Sequence, residues 1–302
     1  MHCVQNADIF KFRRVKFGHV RWGIFDSGKS AVATSPLLIS SRLLISRPYH
    51  RPASNISVPA LTVEGDMLWG GAFFSHFGHF ITETLPALVY LAPLLSKYRE
   101  LNAIFLRPPI EDGEWLLPHV SWFLEKLSID PSRLLILDQD ARVSCLRFPK
   151  LPFQAGGAYT RDLPSALDEM GLAPSRGSKE RIWISRDNIG RSRIKNIEQI
   201  EEEVHRAGLT ILAPEKLGLA EQIDRMCSAE LLAGENGSGL HWSLYSPFAR
   251  KIVSLGWKLS LQERICSVRG QELSLIRTPI LGPFKSRRQS VPVSQFARAI
   301  AQ

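Results

Sequence analysis

A regular alternation of short apolar runs and amphipathic segments occupies residues 181–255 and constrains the fold of this chain more than any other feature. The apolar runs lie at 181–185, 209–212, 230–233 and 251–255, and the segments with helical spacing lie at 197–207, 220–228 and 239–245. Strands that alternate with helices form right-handed βαβ crossovers, which build a parallel sheet covered by helices on both faces. Ligands of such sheets bind beyond the carboxyl ends of the strands.

The amino-terminal half has a different pattern. Residues 11–68 hold short aliphatic and β-branched runs broken by Gly, Ser and Pro, which predicts strands and loops. Residues 75–98 have helical spacing, although Pro86 and Pro93 should start, kink or divide that helix. The same periodicities predict further strands at 102–106, 134–137 and 143–148 and helices at 119–127 and 294–301.

A loop-rich stretch separates the two halves and includes Pro164 and the sequence PSRGS at 174–178. Clusters of glycine, proline and serine mark the boundaries between structural elements. We therefore predict an α/β protein with an amino-terminal domain at 1–165 and a carboxyl-terminal domain at 166–302. A length of 302 residues allows each domain to bury a core of its own.

Composition excludes several classes of protein. With 44% hydrophobic and 22% charged residues, the chain is close to the globular average, so disorder and collagen-like structure are excluded. The 38 Lys and Arg residues exceed the 29 Asp and Glu residues and give a net charge of +9. This surplus suits anionic partners, whether nucleic acid, phosphorylated sugars or an acidic membrane face, and does not choose among them.

The spacing of the cysteines and the length of the apolar runs predict the cellular compartment of the protein. The four cysteines lie at 3, 145, 227 and 266 without a CxxC pair, so we expect reduced thiols and neither a zinc site nor a disulfide framework. Residues 1–17 lack the apolar stretch of a secretory signal, and no run approaches the ~20 apolar residues that span a bilayer. We expect a cytoplasmic protein, with peripheral attachment to the cytoplasmic membrane left open.

A glycine-rich turn follows the apolar run at 230–233 and reads GENGSGL at 234–240. Closely spaced glycines let backbone N–H groups approach a ligand, and the start of the next helix adds donors and a favourable dipole for phosphate. The pattern is neither GxGxxG nor a P-loop, so an ordinary glycine-rich βα turn stays the alternative to a phosphate site. Glu235 opposes the phosphate interpretation unless its carboxylate turns away.

Arginines gather just beyond the apolar run at 181–185. Arg186, Arg191 and Arg193 fall within eight positions, and Asn196 follows them. Guanidinium groups beyond a parallel strand can fork onto phosphate oxygens and neutralise a diphosphate leaving group. The alternative is a solvated loop in which these arginines pair with local carboxylates.

His76, His79 and Glu83 share one face of the helix predicted at 75–98, at relative positions 0, 3 and 7. A carboxylate or imidazole on such a face can act as a general base that takes a proton from an attacking hydroxyl. The spacing is not the HExxH of zinc hydrolases, so we expect no metal site. Structural caps or partly buried histidines stay the alternative.

Several segments, in their order and spacing, resemble motifs of glycosyltransferase family 61, which includes bacterial capsular-polysaccharide proteins and eukaryotic xylosyl- and N-acetylglucosaminyltransferases. HFITETLP at 79–86 is similar to the family's H-x-x-x-[DE]-x-L-P, and RIWISR at 181–186 to its R-I-x-[IL]-S-R strand. RIKN at 193–196 is similar to R-[IV]-x-N, and NGSGL at 236–240 to H-G-A-G-L. Glu215 and the pair Glu221-Gln222 lie where the family has an E-x-L-[ST]-x-x-E-Q segment.

The resemblance implies a fold and a reaction. The implied fold is the glycosyltransferase B type, in which two Rossmann-like domains face a cleft, with the acceptor mainly on the amino-terminal domain and the nucleotide sugar on the carboxyl-terminal domain. The implied reaction is an inverting sugar transfer in surface polysaccharide assembly that needs no metal or other cofactor. Its partners are a nucleotide-sugar donor and a glycan or lipid-linked acceptor at the inner membrane, and nucleic acid is not expected.

The resemblance, together with the chemistry of the motifs, also implies residue roles. Glu83, assisted or oriented by His79, would deprotonate the acceptor hydroxyl. The residues expected to bind the donor are Arg186, Arg193, Asn196, Glu215, Asn236, Gly237, Ser238, Gly239 and Leu240. Arg186, Arg193 and the backbone of the glycine turn would stabilise the charge on the departing diphosphate.

Two other functions stay open from the sequence. Asn236 stands where the family motif has histidine, and Ser254 where many relatives have glutamate, so one alternative is a catalytically silent relative. The other is a basic module that holds nucleic acid or another polyanion without catalysis. The alternation of basic and apolar residues at 11–17 resembles an edge strand with a charged face that would suit this role.

Overall fold

Two β-sheets, one in each half of the chain, form the framework of the protein. The computed structural model describes residues 1–14, 19–27, 30, 32, 45–48, 59–109, 113–153, 158–186, 194–256, 260–277 and 290–301. The chain divides into two compact units, Met1–Asp162 and Leu163–Gln302. The domain boundary predicted from the sequence lies three residues later, between residues 165 and 166. Both units contain helices and strands, so the protein is α/β.

The amino-terminal unit holds a mixed sheet. Its described strands are β1 (His2–Arg14), β2 (His19–Phe25), β3 (Ile45–Pro48), β4 (Leu61–Ala72), β5 (Asn102–Leu106), β6 (Leu134–Leu137) and β7 (Ala141–Phe148). Their order is β3-β2-β1-β7-β4-β5-β6. Strands β7, β4, β5 and β6 pair in parallel, whereas β1 is antiparallel to both β2 and β7. This sheet is therefore not a wholly parallel Rossmann-like sheet.

Strand β1 contains the first part of the segment 11–17, for which the sequence predicts an edge strand with a charged face. Residues 11–14 belong to β1, whose pairing with β2 reaches Arg14, whereas its pairing with β7 runs from His2 to Ile9. The backbone of Lys11 donates to Oδ1 of Asp140 at 2.9 Å, and its Nζ donates to the carbonyl of Asp138 at 3.0 Å. Residues 15–17 lie outside the described residues, so the charged edge strand stays a prediction.

One long helical stretch follows β4. It comprises α1 (Phe77–His79), a π-helical turn at Phe80–Thr84 and α2 (Leu85–Lys97). Pro86 lies in the first turn of α2, and Pro93 lies inside α2 without ending it. The unit also contains α3 (Pro118–Lys126) and a 3₁₀-helix at Pro131–Arg133.

A disulfide joins β1 to β7 through Cys3 and Cys145. Their Cα atoms are 6.4 Å apart, within the range that a disulfide spans. The antiparallel pairing aligns Gln5 with Cys145 and so brings together two residues that are 142 positions apart in the sequence. The expectation of reduced thiols was wrong for this pair, whereas Cys227 and Cys266 are free and buried.

The carboxyl-terminal unit confirms the predicted parallel sheet. Its described strands are β8 (Arg181–Ile184), β9 (Thr210–Leu212), β10 (Leu231–Glu235), β11 (Lys251–Leu255) and β12 (Glu272–Ile276), in the order β12-β11-β10-β8-β9. All neighbouring strands are parallel. Numbered from β8, this is the doubly wound order 2-1-3-4-5, and the direction of winding reverses between β8 and β10.

Helices pack on this sheet. They are α4 (Leu163–Glu169), α5 (Ile197–Arg206), α6 (Leu219–Ser228), α7 (Ser260–Arg269), α8 (Val293–Ala301) and two 3₁₀-helices at Pro214–Lys216 and Ser238–Tyr245. Alternate strand residues such as Trp183, Ala233 and Val253 form one core with apolar residues of α5 and α8. The sequence pattern missed α4, α7 and β12, and it predicted an α-helix at 239–245 where a 3₁₀-helix forms.

Gly70 gives a test of the packing between β4 and β5. It lies at a bulge, where the pairing of the two strands shifts between Trp69 and Gly71. A Cβ atom at Gly70 would lie 2.3 Å from Cε1 of Phe105, a fully buried ring. We predict that Gly70→Ala lowers the free energy of unfolding by about 1–3 kcal/mol, as overpacking of a core does, when measured by urea denaturation.

A double-mutant cycle supplies the control for this prediction. Phe105→Leu makes room beside the added methyl group, so the double variant Gly70→Ala/Phe105→Leu should lose less stability than the two single variants summed. Strictly additive losses would show that the Phe105 ring is not what excludes a side chain at Gly70.

Candidate functional site

His79 and Glu83 form a hydrogen-bonded pair on the helical stretch after β4. His79 is the last residue of α1, Glu83 lies in the π turn, and Nδ1 of His79 is 2.8 Å from Oε1 of Glu83. A spacing of four residues along a helical stretch places two side chains next to each other. The Glu83 side chain is 1% exposed and the His79 side chain is 29% exposed. The two predicted catalytic residues therefore lie together, with the carboxylate buried and the imidazole partly at the surface.

The π turn that holds Glu83 is stabilised by residues around it. The N–H of Leu85 donates to the carbonyl of Phe80, five residues back. Pro86 has no N–H with which to serve the carbonyl of Thr82, as a helix would require. The hydroxyl of Tyr159 donates to that carbonyl instead, at 2.9 Å. Tyr159 thereby helps to fix a kind of turn that is frequent at functional sites.

Phe74 and Thr84 fix the surroundings of His79, although the sequence pattern did not single them out. The Phe74 ring stacks on the imidazole of His79, with ring centroids 4.9 Å apart. The Thr84 hydroxyl accepts from the N–H of Phe74 at 2.8 Å and donates to its carbonyl at 3.1 Å. The available sequence signal was the threonine directly after Glu83. His76, the third member of the predicted face, is exposed, with its ring centroid 6.1 Å from that of His79.

The ends of β8 and β10 hold a second group of predicted residues. Arg186 lies two residues beyond the end of β8, residues 236–240 of the glycine turn follow β10, and the two strands pair directly. A Cβ atom at Gly237 would lie 2.8 Å from Nη1 of Arg186, so the guanidinium group lies close against the glycine backbone. This approach occurs where the winding of the sheet reverses, which is where doubly wound sheets bind their ligands.

The glycine turn leads into the 3₁₀-helix Ser238–Tyr245. A Cβ atom at Gly239 would lie 2.9 Å from Cγ2 of Ile184, so the turn packs tightly on β8. Leu240 is fully buried, and its N–H donates to the carbonyl of Gly237 at 3.1 Å. Leu240 thus anchors the turn, and the partly exposed residues 236–239 are the ones that a ligand can reach.

The turn also lies against the end of β11. The N–H of Asn236 donates to the carbonyl of Leu255 at 2.9 Å. Gly256 has a φ of +138°, and a Cβ atom there would lie 3.2 Å from Cβ of Asn236. Glu235, whose carboxylate would repel a phosphate, is buried and falls on the same face of β10 as the core residue Ala233. Asn236, the residue directly after β10, thus lies beside the end of β11.

The remaining predicted donor residues lie in different settings. Asn196 donates from Nδ2 to the carbonyl of Val291 at 3.0 Å and accepts at Oδ1 from the N–H of Val291 at 2.8 Å. Its amide joins the start of α5 to the segment before α8, which is a structural role, and its contact with a donor stays a prediction. Glu215 is exposed in the 3₁₀-helix after β9. Arg191 and Arg193 lie outside the described residues.

The structural role of Asn196 can be tested by unfolding. Asn196→Ala leaves both backbone groups of Val291 without this partner, so we predict a loss of about 1–3 kcal/mol in the free energy of unfolding by urea. Gln199→Ala is the matched control, because it removes only an exposed contact of 3.2 Å with the Asn196 amide and should leave stability nearly unchanged. Unaltered stability in Asn196→Ala would show that the bonds to Val291 contribute little.

Two properties of the described residues bear on the predicted absence of a metal and on membrane attachment. Within the described part of the chain, no three His, Cys, Asp or Glu side chains are grouped so as to hold a metal ion, and a metal-independent reaction stays a prediction. None of the helices that the structure describes combines the length and the apolar character needed to cross a bilayer.

Comparison with known proteins identifies the family. The family model described as Glycosyltransferase 61 matches residues 77–253, which run from the start of α1 into β11. The matched range contains the His79–Glu83 pair and the ends of β8 and β10. A comparison with curated proteins gives no match. The chain belongs to glycosyltransferase family 61, which confirms the resemblance in its motifs and supports a sugar transferase.

Proposed function

We propose that this protein transfers a sugar from a nucleotide-sugar donor to a hydroxyl group of a glycan or lipid-linked acceptor. Family membership supports the transferase class. The observation that supports the donor class most directly is the close approach of Arg186 to Gly237 where β8 and β10 end. The part of the donor suited to this place is its diphosphate, which is anionic and rich in hydrogen-bond acceptors.

In the proposed donor complex, the diphosphate binds at the ends of β8 and β10. The Arg186 guanidinium is a permanent cation with a planar fork of donors that matches phosphate oxygens. Because Gly237 has no side chain, a phosphate can contact the backbone of the turn and the guanidinium group together. Negative charge builds on the diphosphate as it departs, and donors already fixed in place stabilise that charge in the transition state.

The acceptor hydroxyl is activated by the His79–Glu83 pair of the amino-terminal unit. Removal of its proton makes the oxygen a stronger nucleophile. The oxygen attacks the anomeric carbon from the face opposite the diphosphate, which inverts the configuration at that carbon. The glycosyltransferase B arrangement and the independence from a metal belong to the same proposal and follow the motifs that the chain shares with its family.

The proposed setting is surface polysaccharide assembly at the cytoplasmic face of a membrane. The net charge of +9 favours an anionic surface on which lipid-linked acceptors are held. Disulfides are typical of oxidising compartments, so the Cys3–Cys145 bond opposes the cytoplasmic part of this setting.

Arg186 gives the first test of the donor site. Calorimetric titration of the wild-type protein with UDP, GDP and dTDP identifies the nucleoside diphosphate that binds. We predict that Arg186→Ala then raises the Kd for this ligand by about 10-fold to 100-fold, as expected for the loss of a charged hydrogen-bond donor. An unchanged Kd would remove Arg186 from the donor site.

Gly237 gives a second test that leaves Arg186 in place. Among the described residues, the atoms that a methyl group at Gly237 meets within 3.6 Å belong to the flexible end of Arg186, so Gly237→Ala should fold and displace the guanidinium group. We predict that Gly237→Ala weakens nucleoside diphosphate binding by about 10-fold. Gly218→Ala, whose added methyl group meets no atom of the described residues within 4 Å, should bind as the wild type does. Equal binding by both variants would contradict the proposed position of the diphosphate.

A further inference from the structure

The unequal burial of His79 and Glu83 decides which of them can meet an acceptor. The Glu83 side chain is 1% exposed, against 29% for His79. A general base must come within about 2.6–3.2 Å of the group whose proton it takes. We infer that His79 receives the acceptor proton and that Glu83 is a positioning residue, an inference that rests on the proposed function and reverses the roles expected from the sequence.

The hydrogen bond between the two side chains determines which nitrogen of His79 is basic. In the inferred arrangement Glu83 is a carboxylate, which only accepts hydrogen bonds, and Nδ1–H of His79 donates in the contact of 2.8 Å with Oε1 of Glu83. In a neutral imidazole, the lone pair is then on Nε2. Nε2 is therefore the atom that accepts the proton, and the Glu83 carboxylate stabilises the resulting imidazolium, as the carboxylate of a Ser-His-Asp triad does.

The imidazole is also held in a fixed plane. Phe74 stacks on it at an interplanar angle of 27°. Both hydrogen bonds of the Thr84 hydroxyl to the Phe74 backbone hold that ring in place. A base that is already oriented loses little freedom in the transition state, so these contacts favour His79 as the reacting group.

Two other histidines lie near the pair. His76 is exposed, with its ring centroid 6.1 Å from that of His79. Nε2 of His119 lies 2.8 Å from the carbonyl of Ser75, and its ring packs edge-on against Phe80. His119 thus contacts a backbone carbonyl, whereas His79 contacts a buried carboxylate.

In the transfer step, the acceptor O–H bond breaks and its proton moves to Nε2 of His79. The electron pair of that bond forms the new bond between the acceptor oxygen and the anomeric carbon. The electron pair of the bond between the anomeric carbon and the phosphate oxygen leaves with the nucleoside diphosphate. The imidazolium then gives its proton to water, which restores the neutral side chain, and Glu83 stays ionised and touches no substrate.

The experiment measures nucleoside diphosphate release from UDP-, GDP- and dTDP-sugars with water as the acceptor. With the donor that the wild type hydrolyses, His79→Ala should lower kcat by about 100-fold or more, which is the contribution of a general base. The Kd for the nucleoside diphosphate should not change. Added imidazole should raise the kcat of this variant by about 10-fold, because it supplies the missing base. His79→Gln serves as the second variant if the alanine protein does not fold.

Glu83 variants test the positioning role. Glu83→Gln should lower kcat by about 10-fold to 10⁴-fold with the KM for the donor nearly constant, because an amide can hold the imidazole in the wrong tautomer. Glu83→Asp keeps a carboxylate and should recover part of this loss. His205→Ala, which removes an exposed histidine of α5, is the matched control and should keep the wild-type kcat with and without imidazole.

The outcomes separate this inference from the proposed function. If His79→Ala keeps more than about a tenth of the wild-type kcat, or if imidazole does not raise its lowered kcat, His79 is not the base. An active wild type with either of these results overturns the inference alone. A folded wild type that releases no nucleoside diphosphate from any of these donors counts against both the proposed function and the inference.

Discussion

The parallel pairing of β8 with β10 is the constraint on which the proposed donor site depends. Ile184 pairs with Gly234, so the residues that follow both strands emerge side by side at one edge of the sheet. With the strand order 2-1-3-4-5, the connections that leave β8 and β10 run to opposite sides of this pair. A crevice opens between them at the carboxyl ends of the two strands. The glycines at 234, 237 and 239 then let the turn approach β8 and Arg186 more closely than any side chain would allow.

The proposed acceptor site depends on a different structural feature, the π turn between α1 and α2. Pro86 removes one backbone donor, and the Tyr159 hydroxyl replaces it at the carbonyl of Thr82. The turn buries the Glu83 carboxylate beside Nδ1 of His79 and leaves the imidazole partly exposed. A buried charge is stabilised only when it is hydrogen-bonded or paired, so the carboxylate and the imidazole depend on each other.

Local periodicity was enough to predict the parts of the fold that local interactions decide. The strands at 102–106, 134–137 and 251–255 and the parallel sheet follow from apolar runs and their alternation with helices, and the pairing of His79 with Glu83 follows from their spacing. The rest depends on residues far apart in the chain. The amide of Asn196 meets Val291, 95 positions away, and Cys3 meets Cys145, 142 positions away. The weakly amphipathic α7 gave no periodic signal, and burial, which separates the roles of His79 and Glu83, is a property of the folded chain.

Binding of a nucleoside diphosphate at the edge formed by β8 and β10 is the point on which the proposed function depends. Thermal unfolding of the wild-type protein with UDP, GDP, dTDP and a DNA oligonucleotide, at low and high salt, tests it most directly. We predict saturable stabilisation by one of the three diphosphates over the others, by about 2.7 kcal/mol at a ligand concentration of about 100 times its Kd. No stabilisation by any of them, or stabilisation that follows only the total ligand charge and disappears in high salt, would contradict a nucleotide-sugar site.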